Sequence, residues 1–336
     1  MRDTIDRLLI VSWAWLCGVG FCACSSDEED SYTEVKKIQV TVADMVNIPT
    51  DSPPRPEMGW NVTRSFIQPN AAYTHIDYMF EDHDTLGIFP QGGFEIPFVV
   101  EIPDKIPVTK VTIEADGWLT KDGVKYCSYL PFDRYNFDYS YKIPWSWAGQ
   151  VQTGNDNASH TGKFMLLATL PNETNEDGTF NAHLTHMGTV IFADLGVPNL
   201  GTFKKVCMVA PSARFALNGR YDLFTDGQPF TAGTMSDHFD VLLNNFSVTD
   251  TGWQYASIWF VLSPDISFAQ GENLIFYLWD DAGYRYRGTY THSKATTYVR
   301  NGYAYISINM TRESNNISTY INDYHNEDSA TGVAIE

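Results

Sequence analysis

Apolar and polar residues alternate along this chain with a period of two, in short runs separated by Gly, Pro, Asn and Asp. Ile38, Val40 and Val42 alternate with Gln39, Thr41 and Ala43, the pattern of a half-buried strand. Val111, Ile113 and Ala115 repeat it. Near the end, Ala304, Ile306, Ile308 and Met310 fall on one face, with Tyr303, Tyr305, Ser307 and Asn309 on the other. Four continuous apolar runs, Lys163–Leu170, Val190–Leu195, Ser257–Leu262 and Asn273–Trp279, are short enough for buried strands. Asp280-Asp281-Ala282-Gly283 is turn chemistry, so the last run should fold back into Tyr284–Tyr290 as a hairpin. The stretch 47–56 holds four prolines and reads as a loop. No amphipathic pattern of helical period lasts beyond about two turns, so helices should be few and short. Strand-length runs with turn signals every ~8–12 residues predict an all-β sandwich or barrel.

An apolar run of another kind opens the chain. Leu8 to Phe21 follows Arg2 and Arg7, is too short for a comfortable membrane span, and fits a secretory signal. Ala23-Cys24 resembles a lipobox, which would end a lipoprotein signal peptide at residue 23 and put lipid on Cys24. Residues 24–33 read as an acidic tether. Asp27 to Asp30 resemble the tag that exports some lipoproteins to the outer leaflet. The alternative is an ordinary signal peptide followed by a solvated linker.

Composition fits an extracellular globular protein. There are 20 Phe, 19 Tyr and 9 Trp, an enrichment that favours strands. The formal charge is −19, and removing residues 1–23 takes away two acids and two bases, so it does not change. That balance argues against nucleic acid and anionic membrane surfaces as partners. The chain is long enough for two domains. The polar run Asn172 to Gly178 divides an N-terminal sandwich, 34–171, from a C-terminal one, 180–312, with a tail at 313–336. Beyond Cys24, the mature chain keeps Cys127 and Cys207, which read as two buried thiols.

Chemistry is sparse. There is no nucleophile elbow, HExxH, P-loop or dinucleotide fingerprint. His183 and His186 are three apart, so on a strand they point to opposite faces and cannot chelate one metal. Asp82-His83-Asp84 and Asp280-Asp281 read as turn chemistry. No catalytic residues, metal site or cofactor are expected. Among the tryptophans, Trp259 and Trp279 lie inside strand runs and should be core. Trp145 and Trp147 flank a loop and are candidate glycan contacts.

Several segments, in order, resemble the fimbrillin family, the type V pilus subunits and fimbrillin-like lipoproteins of Bacteroides-type bacteria. Asn61-Val62-Thr63-Arg64-Ser65 is similar to the family's Thr-Arg processing region. Phe80 to Phe89 resembles its aromatic-x-x-Gly-Asp-x-Ile-Gly-Val-Phe strand, with His83 in place of the first Gly. Gln152 with Gly162 to Ala168 resembles the segment closing the first domain. Phe180 to Val190 resembles the strand opening the second, with His186 in the usual His place. Asn273–Tyr284 and Arg300–Tyr305 resemble the last two strand modules. The match spans roughly 34–312, and the order of the motifs is more specific than any one of them.

The resemblance implies two tandem transthyretin-like Greek-key β-sandwich domains behind a lipoprotein signal peptide. It implies a cell-surface structural or adhesion protein, a pilus stalk, tip or anchor subunit held by outer-membrane lipid through Cys24 until it joins a fimbrium. Cleavage between Arg64 and Ser65 would release the first strand, with Ile38, Val40 and Val42, and open a groove. Arg55 precedes Pro56 and should resist cleavage. Another pilus subunit would fill the groove by β-strand addition. The donor positions of this chain would be Ile317, Ile321, Val333 and Ile335 in its tail. A host protein or glycan is the expected ligand. Two other classes stand beside this one: a lipid-anchored surface glycan-binding β-sandwich protein, and a hydrolase hidden in the sandwich.

Overall fold

The computed structural model describes residues 35–52, 66–69, 76–115, 119, 123–132, 141–249 and 254–316. Residues 1–23 and 24–33, expected as signal peptide and tether, together with Cys24, Arg64, Ser65, Ile317, Ile321, Val333 and Ile335, lie outside the described residues.

The regular structure of the described chain is almost entirely strand. Its first half supplies β1 (Lys37–Val42), β2 (Val46–Asn47), β3 (Phe66–Pro69), β4 (Ile76–Met79), β5 (Thr85–Pro90), β6 (Ile96–Val99), β7 (Lys110–Glu114), β8 (Tyr126–Leu130), β9 (Lys142–Ser146), β10 (Gln150–Thr153) and β11 (Leu167–Ala168), with one helical turn, α1 (Thr161–Phe164). Its second half supplies β12 (Thr179–His186), β13 (Thr189–Gly196), β14 (Gly201–Val209), β15 (Phe215–Ala216), β16 (Asn218–Asp222), β17 (Phe230–Ala232), β18 (Met235–Ser236), β19 (His238–Val248), β20 (Tyr255–Leu262), β21 (Ile266–Phe268), β22 (Asn273–Asp280), β23 (Tyr284–Thr291), β24 (Thr296–Tyr298), β25 (Gly302–Asn309) and β26 (Thr311–Asn316).

A seven-stranded sheet runs β6-β5-β8-β11-β12-β1-β7. A six-stranded sheet, β10-β19-β14-β22-β23-β26, belongs with a four-stranded one, β2-β25-β13-β20. Phe260 of β20 meets Phe276 of β22 edge-on, with ring centroids 6.1 Å apart, which locates the core between those two sheets. On the other face of β13 and β20, Phe192 stacks on Trp259 at 4.2 Å and on Tyr305 at 5.6 Å. Both faces are therefore covered, which is why these strands read as unbroken apolar runs.

The predicted hairpin forms. β22 and β23 pair antiparallel from Asn273↔Thr291 to Trp279↔Arg285. Gly283 takes φ +84°, and Asp280 Oδ1 accepts the Tyr284 amide at 2.8 Å. The run Lys163–Leu170 is buried from Phe164 to Thr169 but is not one strand. It begins in α1, where Met165 N donates to Thr161 O at 2.9 Å, and only Leu167–Ala168 pair in a sheet. A short apolar run carries no periodicity that separates a buried turn of helix from a buried strand.

The polar run Asn172–Gly178 is a tight turn into β12. Asn175 N donates to Thr179 O at 2.8 Å, and Gly178 takes φ +81°. Strand pairing crosses this turn in both directions. β12, from beyond it, lies inside the seven-stranded sheet, while β2, β9 and β10, from before it, pair with β25, β16 and β19.

Candidate functional site

The first strand is an inserted strand, not an edge. β1 runs parallel to β12, in register from Lys37↔Thr179 to Val42↔Leu184, and antiparallel to β7, from Lys37↔Glu114 to Thr41↔Lys110. Ile38 and Val40 are fully buried and Val42 is partly buried. On the outer face, Thr41 Oγ1 and His183 Nδ1 lie 2.9 Å apart, and Lys37 Nζ reaches Glu114 at 3.5 Å. Every alternate side chain thus either fills the core or touches a neighbour at the surface. Removing β1 would leave facing rows of unpaired backbone groups on β7 and β12, with a furrow where Ile38 and Val40 had been.

The chain does not leave the fold after β1. Ala43 N still donates to Leu184 O at 2.7 Å, and the next residues cross to the four-stranded sheet. There β2 lies parallel to β25, with Val46 opposite Gly302. Val46 N donates to Asn301 O and Ile48 N to Tyr303 O, each at 2.7 Å. Thr50 Oγ1 donates to Tyr305 O, and Ser307 N donates to Ser52 Oγ at 2.8 Å. Met45 and Ile48 are buried while Val46 is 57% exposed.

The opposite edge of the same sheet is closed differently. Among the described residues, β20 has no neighbouring strand on its outer side, and side-chain amides take that place. Gln150 Oε1 accepts Val261 N at 3.1 Å, and its Nε2 donates to Val261 O at 2.5 Å. Gln152 Oε1 accepts Trp259 N at 2.9 Å, and its Nε2 donates to Ser257 O at 2.8 Å. Asn155 treats Ser257 N and Tyr255 O the same way, at 2.8 and 2.9 Å. His160 Nε2 sits 3.1 Å from Trp259 O. Burial holds the His160 imidazole down to about pKa 4, so it is neutral near pH 7. The array takes the Tyr255 carbonyl and the outward backbone groups of Ser257, Trp259 and Val261, which an incoming strand would otherwise use.

Sequence reasoning missed this array. Its signal is the inverted alternation in Gln150-Val151-Gln152, where the glutamines are buried and Val151 is 41% exposed. Ile48 lies inside the stretch 47–56 that reads as loop and Met45 just before it, and two-residue pairing leaves no period to detect.

Other candidates fall out as follows. Trp147 is buried in the core, edge-on to Phe230, which excludes a glycan contact there. Trp145 is half-buried and borders a depression of about 810 Å³ with Phe164, Lys163 and Gly219. Its indole Nε1 donates to Phe164 O at 2.9 Å. Trp259 and Trp279 are core residues. His183 is exposed and His186 wholly buried, on opposite faces of β12. Neither ring nitrogen of His186 has a hydrogen-bond partner, and burial pushes its pKa down to about 3.

Asp84 Oδ2 accepts Glu81 N at 2.9 Å, and Asp82 Oδ1 accepts Ile102 N at 3.0 Å, so both carboxylates are spent on the loop. His83, standing where the resembled motif has Gly, takes φ +74°, the left-handed region glycine favours. Gly87 of the same motif lies against the Tyr129 ring, in space a Cβ would need. Cys127 and Cys207 are free and buried, and burial raises both thiols, Cys127 to about 12. Among the described residues, no group of three or more His, Cys, Asp or Glu could hold a metal ion.

No family model matches the chain, and no curated protein matches it. Solved structures align with it at low identity. A candidate cell adhesion protein of Bacteroides uniformis is 13% identical over 70% of this chain and 92% of its own, with a TM-score of 0.46. A candidate cell adhesion protein of Bacteroides ovatus is 9% identical over 84% of this chain and 96% of its own, at 0.47. A fimbrial protein of Bacteroides ovatus is 12% identical over 83% of this chain and 50% of its own, at 0.31.

Proposed function

We propose that this chain is a fimbrillin-like surface protein with a structural or adhesive role, built to join a pilus by exchange of its first strand. The observation that carries the reading is the position of β1. It is held between β7 and β12 by backbone pairing on both sides, yet it belongs to the segment that precedes Arg64. One cut after Arg64 would turn a complete sheet into an acceptor with two unpaired edges and an apolar furrow. Two fully buried side chains, Ile38 and Val40, at roughly 1.5–3 kcal/mol each, with the ladder bonds and the partly buried Val42, keep a cut strand in place. Release therefore needs an incoming strand of comparable burial. Ile317, Ile321, Val333 and Ile335 are the apolar positions the tail would offer to a neighbouring subunit. Before processing, lipid on Cys24 would hold the protein at the outer membrane, displayed outward. No catalytic step by this chain enters the reading.

The test is Arg64→Ala in the native host. The variant should fold and reach the membrane but stay out of SDS-resistant polymers. Normal incorporation of the variant overturns processing at Arg64. The chain would then read as an unprocessed anchor or a glycan-binding lipoprotein.

A further inference from the structure

The segment that carries β1 covers two sheets. Its templates, β12 and β25, meet end to end. Asn301, one residue before β25, donates its backbone N–H toward His186 O and Gly188 O, each at 2.9 Å, and its Oδ1 accepts His186 N at 3.3 Å. β1 runs parallel to β12 and β2 runs parallel to β25, so residues 37–52 follow one composite edge in one direction. Asn301 Nδ2 donates to Asp44 O at 2.8 Å and ties the segment down at the joint. Beyond the joint, this segment takes outward groups of the β25 edge: Asn301 O, Tyr303 O and Tyr305 O as acceptors and Ser307 N as donor.

We propose that the acceptor site is this composite edge, and that the strand replacing residues 35–52 must span both sheets. The proposal rests on the exchange reading above and adds the chemistry of the donor. Removing 35–52 frees the β25 edge together with the furrow between β7 and β12. A donor pairing with β12 alone would leave the carbonyls of Asn301, Tyr303 and Tyr305 without their partners. The donor is therefore an extended segment of about sixteen residues, roughly 50 Å long. It carries apolar side chains where Ile38, Val40, Met45 and Ile48 now sit, and hydroxyls in place of Thr50 and Ser52. Gly302 leaves room for the residue at the Ile48 position: a Cβ there would lie 2.6 Å from Ile48 Cδ1. Within 313–336, no stretch has apolar residues at all four spacings, and Val333 with Ile335 satisfies only the first two. The partner is accordingly an extended segment of a different subunit, not the tail of a second copy.

A protease site engineered into 53–65 of the full chain gives a cut protein that retains its first segment noncovalently. Labelled peptides 35–52, 35–43, 44–52 and 313–336 then compete for the slot in mild denaturant. Peptide 35–52 should displace the resident segment at ~100-fold lower concentration than either half, since linking two weak contacts multiplies their effect. Ile48→Asp in the long peptide should bring it down to the level of 35–43. Equal displacement by 35–43 and 35–52, or none by 35–52, overturns the composite edge. Displacement by 313–336 at the level of 35–52 overturns the assignment to a different subunit. Because the cut is engineered, the result does not depend on cleavage at Arg64, which the Arg64→Ala variant tests separately.

Discussion

The carboxamide of Gln150 makes both hydrogen bonds to Val261 that a neighbouring strand would make. Its oxygen accepts the Val261 amide at 3.1 Å and its nitrogen donates to the Val261 carbonyl at 2.5 Å, in a site closed to solvent. With Gln152 and Asn155 doing the same further along, side chains take the place of a neighbouring strand along most of the β20 edge. Among the described residues, the other edge of that sheet is closed by residues 46–52. One edge is thus capped by side chains that no cleavage removes, and the other by a segment that a single cut could free.

Gln150→Leu keeps the bulk and removes the cap. Two buried backbone groups of Val261 then lose their partners, at about 1–3 kcal/mol each. Urea unfolding should show a loss of about 2–4 kcal/mol, and sizing chromatography should show concentration-dependent association through the opened edge. A variant as stable and as monomeric as the parent would mean that the cap has no such role.

Within the first strand, burial and charge should separate cleanly. Ile38→Ala removes a fully buried side chain and should cost about 2–5 kcal/mol. Lys37→Ala breaks an exposed ion pair with Glu114 and should cost less than about 1 kcal/mol. Equal losses in denaturant titrations of the two variants would contradict the buried-furrow description of β1.

Stability should fall in mild acid because of two histidines. Burial lowers the folded pKa of His186 to about 3 and of His160 to about 4, whereas an unfolded histidine titrates near ~6.5. Above that unfolded value both states are neutral and the stability is fully present. As the pH falls toward 4, the unfolded chain binds protons that the folded chain refuses, and each histidine removes about 1.4 kcal/mol per pH unit. His186→Leu replaces a side chain whose nitrogens have no partner, so it should flatten the slope between pH 6 and 4 by about one proton. Denaturation curves at several pH values measure this, and an unchanged slope would show that His186 does not titrate as described.

Much of the fold is legible in particular residues. The alternation at Ile38, Val40 and Val42 gives β1 and its buried face, and Asp280 to Gly283 gives the hairpin turn. His183 and His186 divide between two faces as their spacing requires. Trp147 was not legible as core, because a tryptophan near a proline reads alike whether its ring points inward or out. Lys163–Leu170 was not legible as a helical turn, because the unbroken buried run inside it shows no period.

The strand periods, the turns and the all-β class can be read along the chain, because each depends on side chains a few residues apart. Which strands become neighbours is settled by long-range packing. Pairing depends on backbone groups that every residue carries alike, so no local pattern says that β1 enters between β7 and β12, or that β2 lies along β25. The same holds for Gln150. In the sequence it is a polar residue beside a valine, and it becomes a cap only because folding brings Val261 within reach of both ends of its amide.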